Sequence, residues 1–397
     1  MKMQPLYLSQ YTLATCLGLG RSANWDAIIQ QKTGLVPCEF ETVILPTYIG
    51  KVSGVEDTEL PARLSHHLCR NNQLALLALQ QDNFNASVLD AIKIYGKSRI
   101  GVFLGTSTSG ILSTEIAYRF RNSETGALPA DFRYEQTHNT HSVSGFVRDY
   151  FELEGPAVTV SSACSSSAKV FGNAARMLAC GLIDAAIVGG VDSLCLTTLY
   201  GFNSLELLSP EVCQPYGKNR SGISISEAAG FALLTHKKPN HLKAIAITGI
   251  GESSDAHHMS SPHPTGDGAL AAMKQALAMA GRSTDQVNYI NLHGTATRSN
   301  DAAEGLAVAT LFGNSVPCSS TKGHTGHALG AAGIVEVALC ALAMENDTIP
   351  GGIHTKEVDE AIHINYQLGN LAGSPKIVLS NSFGFGGSNC SLLLEYP

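Results

Sequence analysis

The sequence predicts an α/β fold in which one unit is used twice, and three observations carry that expectation. Short apolar runs alternate with segments of helical periodicity along most of the chain, the pattern of strands layered with helices. Hydrophobic residues make up 44% of the 397 positions and charged ones only 15%, and glycine occurs 39 times, a composition suited to buried strands closed by tight turns. Two motifs then recur in the same order in the two halves.

The first motif is "FLGTSTSG" (103–110), matched by "LHGTATRS" (292–299). Both carry G-T-x-T, at Gly105, Thr106 and Thr108 and again at Gly294, Thr295 and Thr297. The second is "VTVSSACSSSAKVFGNAARMLACG" (158–181), matched by "VPCSSTKGHTGHALGAAGIVEVALCAL" (316–342). In each, a strand ends in Ser-Ser, a turn of small residues follows, and an Ala/Gly-rich helix begins. The units are expected to span 1–238 and 239–397, joined near the polar segment "THKKPNHLK" (235–243).

In chain order, apolar runs predict strands at 99–105, 157–162, 185–191, 244–251, 287–293, 376–382 and 390–396. Helical spacing predicts helices after Ser165, Gly266, Asp301 and Gly326. The run "ALGAAGIVEVALCALAM" (328–344) has 17 residues, two glycines and Glu336. It is short for a bilayer span and reads as a helix buried between layers, so no membrane span is expected.

The formal charge is −7, which supplies no global basic field for nucleic acid. The ten cysteines contain no C-x-x-C pair, and Gln4, Pro5, Ser9 and Gln10 interrupt any signal-like apolar core at the N-terminus. Reduced thiols and a cytoplasmic location are therefore expected.

Cys164 stands between the strand "AVTV" and a helical pattern through Phe171, Ala174, Ala175 and Leu178. A cysteine there is either a small core residue or a nucleophile at a helix start, where the dipole lowers a thiol's pKa. Two further segments bear on the choice. "NYINLHGTATRSNDAAEG" puts His293 at a strand end, and "SSTKGHTGHALGAAG" puts Lys322, His324 and His327 in a glycine-rich turn. A metal reading of His324 with His327 has no carboxylate or thiol at a standard ligand spacing, and no metal site is expected.

The motifs resemble those of the elongating β-ketoacyl-acyl-carrier-protein synthases of the Cys-His-His type. They are A-C-S-S at Cys164, H-G-T-x-T-x-x-x-D-x-x-E from His293 to Glu304, S-T-K-x-x-T-G-H-x-L-G-A-A-G from Ser320 to Gly333, and N-S-F-G-F-G-G-S-N from Asn381 to Asn389. "SSDAHHMSSPHPTG" (253–266) also resembles a family segment, although His257, His258 and His263 receive no role. The resemblance runs from about residue 100 to the C-terminus. It implies a thiolase-like fold, a duplicated α/β unit in five layers αβαβα.

The resemblance also implies roles. Cys164 would carry the acyl group as a thioester. His293 and His327 would stabilise the enolate left when a malonyl extender loses carbon dioxide. The N–H groups of Cys164 and Phe385 would form the oxyanion hole. Lys322 and Glu304 would pair and orient the turn bearing His327, with Asp301 in support. Thr295 and Thr297 would hold the phosphopantetheine arm, and Phe385, beside Phe383, would gate the acyl pocket. No enzyme-bound cofactor is implied, because substrates ride on acyl carrier protein. The partners implied are that carrier and a second subunit, giving a homodimer or a heterodimer with a paralogous ketosynthase or chain-length subunit through an edge strand of the nucleophile half.

Departures from the family pattern are small at the site. Ser162 precedes Ala163-Cys164 where threonine is usual, and "ISISEAAG" (223–230) is poorer in glycine. The first hundred residues match less well, and the overall pattern looks more like specialised synthases, such as those of aryl polyene assembly. Arg63, Arg70, Arg119 and Arg121 are candidates for a basic face toward an acidic carrier. Three rival readings remain: a non-catalytic chain-length partner, which would lack the cysteine; a thiolase-like enzyme, for which Cys390 is the poorly placed second thiol; and a Cys-His hydrolase.

Overall fold

The computed structural model describes residues 2–239 and 244–396. Residues 240–243 of the expected junction thus lie outside the described residues.

Ten of the twelve strands of the main sheet form two sets of five. β1 (Leu6–Thr15), β2 (Ile100–Gly105), β3 (Ala157–Val160), β4 (Ala185–Asp192) and β5 (Ala228–Thr235) lie in the order β3-β2-β4-β5-β1. β6 (Ala246–Ser254), β7 (Tyr289–Asn291), β8 (Pro317–Ser319), β9 (Ile377–Gly384) and β10 (Ser388–Glu395) lie in the order β8-β7-β9-β10-β6. Directions match as well as order. β2 pairs in parallel with β3 and β4, as β7 does with β8 and β9, and the remaining pairs of each set are antiparallel. The two sets touch through β1 and β6 over two residue pairs, Leu6 with Ile247 and Tyr7 with Ala246. The repeated motifs in the sequence are therefore the same loops of a repeated topology.

Strands such as β2 (IGVFLG) and β4 (AAIVGGVD) read as nearly unbroken apolar runs because both faces of the sheet are covered. Phe103 and Val188 point into a central core, while Val102, Leu104 and Ile187 point to an outer one. Likewise Leu392 and Leu394 face the centre and Leu393 the other outer core. Helices α1 (Arg70–Leu79), α2 (Phe84–Tyr95) and α3 (Ser142–Tyr150) cover the first outer face. After α4 (Ser166–Ala179) and α5 (Leu196–Ser204) come α6 (Asp267–Ala280) and α7 (Arg298–Phe312), which cover the second. The one-turn helix α8 (Lys322–Thr325) and α9 (Ala332–Glu345) follow, and three further helices, Gly20–Ile29, Ile111–Arg119 and Tyr134–Thr137, lie elsewhere in the first half.

α4 and α9 form the middle of five layers. Every residue of α9 from Ala332 to Met344 is buried, and the helix packs on β5, β9 and α4 together. Gly333 permits that approach, since a Cβ there would stand 2.8 Å from the backbone nitrogen of Ala168. Each buried Leu, Ile or Val side chain on α9 contributes about 1.5–3 kcal/mol. This is the buried helix that the apolar run 328–344 predicts, and no helix among the described residues is long and apolar enough to cross a membrane.

Two helix starts differ from expectation. α7 begins at Arg298 rather than after Asp301, because the Thr297 hydroxyl accepts the Asn300 N–H and caps it. A 3₁₀ turn, Leu329–Ala331, intervenes between Gly326 and α9. Strands β1 and β5, helices α1 to α3, α5 and α8, and the helices Gly20–Ile29, Ile111–Arg119 and Tyr134–Thr137 are absent from the sequence-based expectation.

Candidate active site

Cys164 follows edge strand β3 and precedes α4 by two residues. The chain turns there through Ala163, held at φ +52°, a left-handed conformation that costs a non-glycine residue energy. Local bonds hold the turn. The Ser166 hydroxyl donates to the Ala163 carbonyl at 2.6 Å, and the Ser162 N–H donates to the same hydroxyl at 2.9 Å. Gly105, at the end of β2, lets the start of α4 close in, since a Cβ there would stand 2.3 Å from the Ser167 nitrogen.

The turn aims Cys164 into a pocket of about 560 Å³, open solvent at its mouth included, which His293, His327, Thr295, Thr297, Phe383 and Phe385 also line. Nε2 of His327 lies 3.1 Å from the Cys164 sulfur. The His293 and His327 rings stand nearly perpendicular, 5.3 Å between centroids. Thus three residues remote in the chain converge on one buried chamber, as the sequence leads one to expect.

Burial and the Lys322 charge hold both imidazoles well below the usual histidine range, so they are neutral. The thiol departs from expectation. Burial pushes Cys164 up to about 11; Lys322 and the N–H groups of Phe385 and Cys164 pull it down without offsetting the burial. A depressed thiol pKa at the helix start is therefore not what the protein has. Ionising the sulfur requires a base, and Nε2 of His327 is at hydrogen-bond distance.

The expected Lys322–Glu304 pair is also corrected. Lys322 pairs with Glu336, which α9 carries directly against α8, and it donates to the His293 carbonyl at 2.5 Å and lies 3.4 Å from His293 Nδ1. Glu304 is committed elsewhere. It accepts the N–H groups of His293 (2.8 Å) and Gly294 (2.9 Å), the Asn381 amide (3.1 Å) and the Tyr216 hydroxyl (2.9 Å). Four donors saturate a buried carboxylate without an ammonium. Asp301 likewise serves the adjacent turn rather than Lys322. It accepts the N–H groups of Tyr216 (2.7 Å) and Ala296 (3.2 Å), and burial raises it to about 6.

Thr295 and Thr297 face the pocket, their hydroxyls 3.0 Å apart, and Thr297 caps α7 as well. Phe383 packs edge-on to His293 at 6.1 Å. Phe385 lies against Phe202 of α5 at 5.5 Å, at the head of a turn whose Gly386 and Gly387 hold φ of +75° and +70°.

Other candidates fall away from the pocket. Both nitrogens of His324 meet backbone carbonyls, of Lys32 (2.8 Å) and Gly351 (3.0 Å), which makes it a staple of the α8 turn. Cys390 is buried in β10 opposite Ser382. His257 and His258 are exposed. Arg70 is no surface residue. It is buried, forked onto Glu227 at 2.6 and 2.7 Å and onto Glu56 at 2.8 Å. Arg63 donates to the carbonyls of Asp149 and Tyr150, Arg119 pairs with Glu41, and Arg121 is exposed.

The sequence did not reveal Asn381 or Tyr216 as partners of Glu304, nor Phe202 against Phe385. Glu336 did leave a signal. A lone carboxylate in a 17-residue apolar run needs a buried partner, and Lys322 is the cation beside it.

Comparison with known proteins follows this geometry. The family described as beta-ketoacyl synthase, N-terminal domain, matches residues 62–240, and the corresponding C-terminal domain matches 245–356. A 3-oxoacyl-[acyl-carrier-protein] synthase 2 of Coxiella burnetii is 32% identical over 96% of this chain and 95% of its own. Nodulation protein E of Rhizobium meliloti is 28% identical over 96% of both. Among solved structures, a chain of the ketosynthase (ApeO) complex with its chain length factor (ApeC) from Xenorhabdus doucetiae superposes with a TM-score of 0.89. It is 38% identical and covers 99% of this chain and 98% of its own. A β-ketoacyl synthase of Burkholderia phymatum STM815 gives 0.88 at 26% identity over the full length of both chains. The duplicated five-layer fold is thus thiolase-like. With both family domains matched and near-full-length similarity to a named synthase, the protein belongs to the β-ketoacyl synthase family.

Proposed function

We propose that the protein joins an acyl group held on Cys164 to a malonyl extender, both delivered on the phosphopantetheine arm of acyl carrier protein. The observation that carries this reading is the buried Cys164 sulfur 3.1 Å from His327 Nε2, with His293 across the same pocket.

The chemistry follows from that arrangement. His327 Nε2 takes the thiol proton as the sulfur attacks the acyl thioester and keeps it as the N–H donor of the next step, while the departing carrier thiolate takes a proton from solvent at the pocket mouth. The malonyl thioester then enters between the two imidazoles. Carbon dioxide departs, and the electron pair of the broken C–C bond becomes an enolate, whose oxygen two ring N–H donors stabilise. Lys322 beside Nδ1 of His293 favours the tautomer with its proton on Nε2, facing the pocket. The enolate carbon attacks the acyl-Cys164 carbonyl. The N–H groups of Cys164 and Phe385 hold the tetrahedral oxyanion, which collapses to a 3-ketoacyl thioester and a Cys164 thiolate, and the thiolate takes its proton back from His327 Nε2. Lys322, Glu304 and Asp301 act as positioning residues. Thr295 and Thr297 bind the arm, and Phe385 and Phe383 gate the chamber and keep water from the thioester.

Assembly through β3 suits the same reading. This strand closes one end of the sheet, its outer edge pairs with no strand among the described residues, and its four residues are half-buried. A second copy, or a chain-length partner such as the one in the ketosynthase complex above, would continue the sheet there. The two units divide at 238/239, the location is cytoplasmic, and the pathway is type II fatty acid or polyketide elongation, with aryl polyene assembly as the specialised setting. Cys164, His293 and His327 together disfavour a non-catalytic chain-length role for this chain.

Mass spectrometry tests the proposal. Incubation with acyl carrier protein bearing an acyl chain should add one acyl mass to the peptide containing Cys164, and malonyl carrier protein should then yield the 3-ketoacyl product. Acylation of any other residue, or none, overturns it.

A further inference from the structure

We propose that Cys164, His293 and His327 also form a site for Zn²⁺. One ligand atom from each, a sulfur and two ring nitrogens, lies within 4.8 Å of the other two, and all three residues are buried. Ligand atoms around a tetrahedral zinc ion stand about 3–4 Å apart, and the sulfur already lies 3.1 Å from His327 Nε2. One thiolate and two neutral imidazoles suit this borderline-soft cation, whereas a set without oxygen ligands disfavours Mg²⁺ and Ca²⁺. The fourth position would face the pocket and hold water.

The surroundings tolerate the proton shifts required. His327 Nδ1 is buried without a hydrogen-bond partner among the described residues and carries the ring proton while Nε2 accepts from the thiol, so Nε2 can ligate with no further shift. His293 Nδ1 would take up a proton facing Lys322 across 3.4 Å. That is the long contact of this ammonium, and its bonds to Glu336 and to the His293 carbonyl remain. Glu336 balances the Lys322 charge, and the thiolate offsets one charge of the ion. In the binding step hydrated Zn²⁺ sheds water, the S–H bond ionises, and its proton passes to buffer. No electron changes hands.

Binding stands on this geometry alone, and only the inhibition that follows from occupying Cys164 rests on the proposed function. A second cluster, His66, His67 and Asp149, offers a similar spacing. It is the weaker candidate, because His66 is exposed and the set offers no thiolate.

Full-length protein titrated with Co²⁺ as a spectroscopic stand-in should show a thiolate-to-cobalt charge-transfer band in the near ultraviolet at one equivalent. The band should vanish in Cys164→Ser and persist in His66→Ala and Asp149→Asn. Zn²⁺ should then slow iodoacetamide labelling of Cys164 at least ~10-fold, with EDTA restoring it. His327→Gln should weaken binding ~100-fold, at least what loss of an outer-shell partner costs, with an unchanged melting curve showing that the fold is intact. Binding without the band, a band that survives Cys164→Ser, or binding lost only in the Asp149 variant overturns the proposal. A protein that condenses substrates yet shows no band loses this inference alone. One that shows the band yet is never acylated loses only the function proposed above.

Discussion

The two G-T-x-T turns occupy equivalent places in the two halves and have opposite fates. In the first, the hydroxyls of Thr106 and Thr108 both donate to one oxygen of Asp192, at 2.9 and 2.7 Å. The N–H groups of Ser107 and Thr108 join them on that oxygen, and the Ala331 N–H from the second half donates to the other. In the second turn the supporting carboxylates, Asp301 and Glu304, take backbone N–H groups instead. That leaves the hydroxyls of Thr295 and Thr297 facing the pocket. Where the carboxylate comes from decides the outcome. Asp192 ends β4 and takes the threonine hydroxyls of its turn as well as N–H groups, whereas Asp301 and Glu304 lie on the helix after the second turn and take only N–H groups from that turn. A duplicated loop thus became a brace in one copy and a wall of the site in the other.

The sharpest test of this division is chemical. Cys164→Ala should abolish condensation, and His293→Ala should lower its rate about 10²–10³-fold, the usual cost of a lost oxyanion donor, read as 3-ketoacyl product per enzyme. Comparable losses from Thr106→Val would mean that the first turn is no mere brace. The next effect concerns pH. A thiol raised to about 11 is protonated at neutrality, and the reactive thiolate grows about tenfold per pH unit below that value. Iodoacetamide labelling of Cys164 should therefore climb about 100-fold from pH 7 to 9 in peptide mass spectrometry. A plateau by pH 8 would show that His327 already holds the proton.

The smallest effects separate the turns by type of readout. Asp192→Ala strands several buried donors and should cost about 3–5 kcal/mol in denaturant unfolding. Thr295→Val should change stability by less than about 1 kcal/mol yet raise KM for the carrier-bound substrate about tenfold, the equivalent of one lost hydrogen bond. If Thr295→Val instead matched Asp192→Ala in lost stability with KM unmoved, the comparison would be inverted.

Much of this was legible in the sequence because chemistry and topology left separate marks. Strands covered on both faces are rich in apolar residues, so β2 and β4 stood out whole and β9 and β10 by their stretches 377–379 and 392–394, and the repeated Ser-Ser turns gave the duplication away. β1 escaped because it carries polar residues with specific partners. Ser9 bonds to Thr235, Gln10 to the Asp82 carbonyl and Thr12 to the Asp82 carboxylate, which breaks the apolar run. The site's cysteine and histidines were readable as types and spacings, but their partners were not. Spacing brings Glu304 near His293 and cannot tell whether it meets an ammonium or an amide N–H. The thiol's pKa went the same way, since a sequence shows that a helix starts and not how dry its surroundings are.

The helix α9 has a thermodynamic consequence of its own. It belongs to neither sheet alone, since its buried residues complete the core against β5 on one side and β9 on the other. Melting either half would strip one flank of this rod and expose oily surface on the survivor. The two repeated halves therefore form one cooperative body, which should denature in a single step with no half-ordered species for proteases to find.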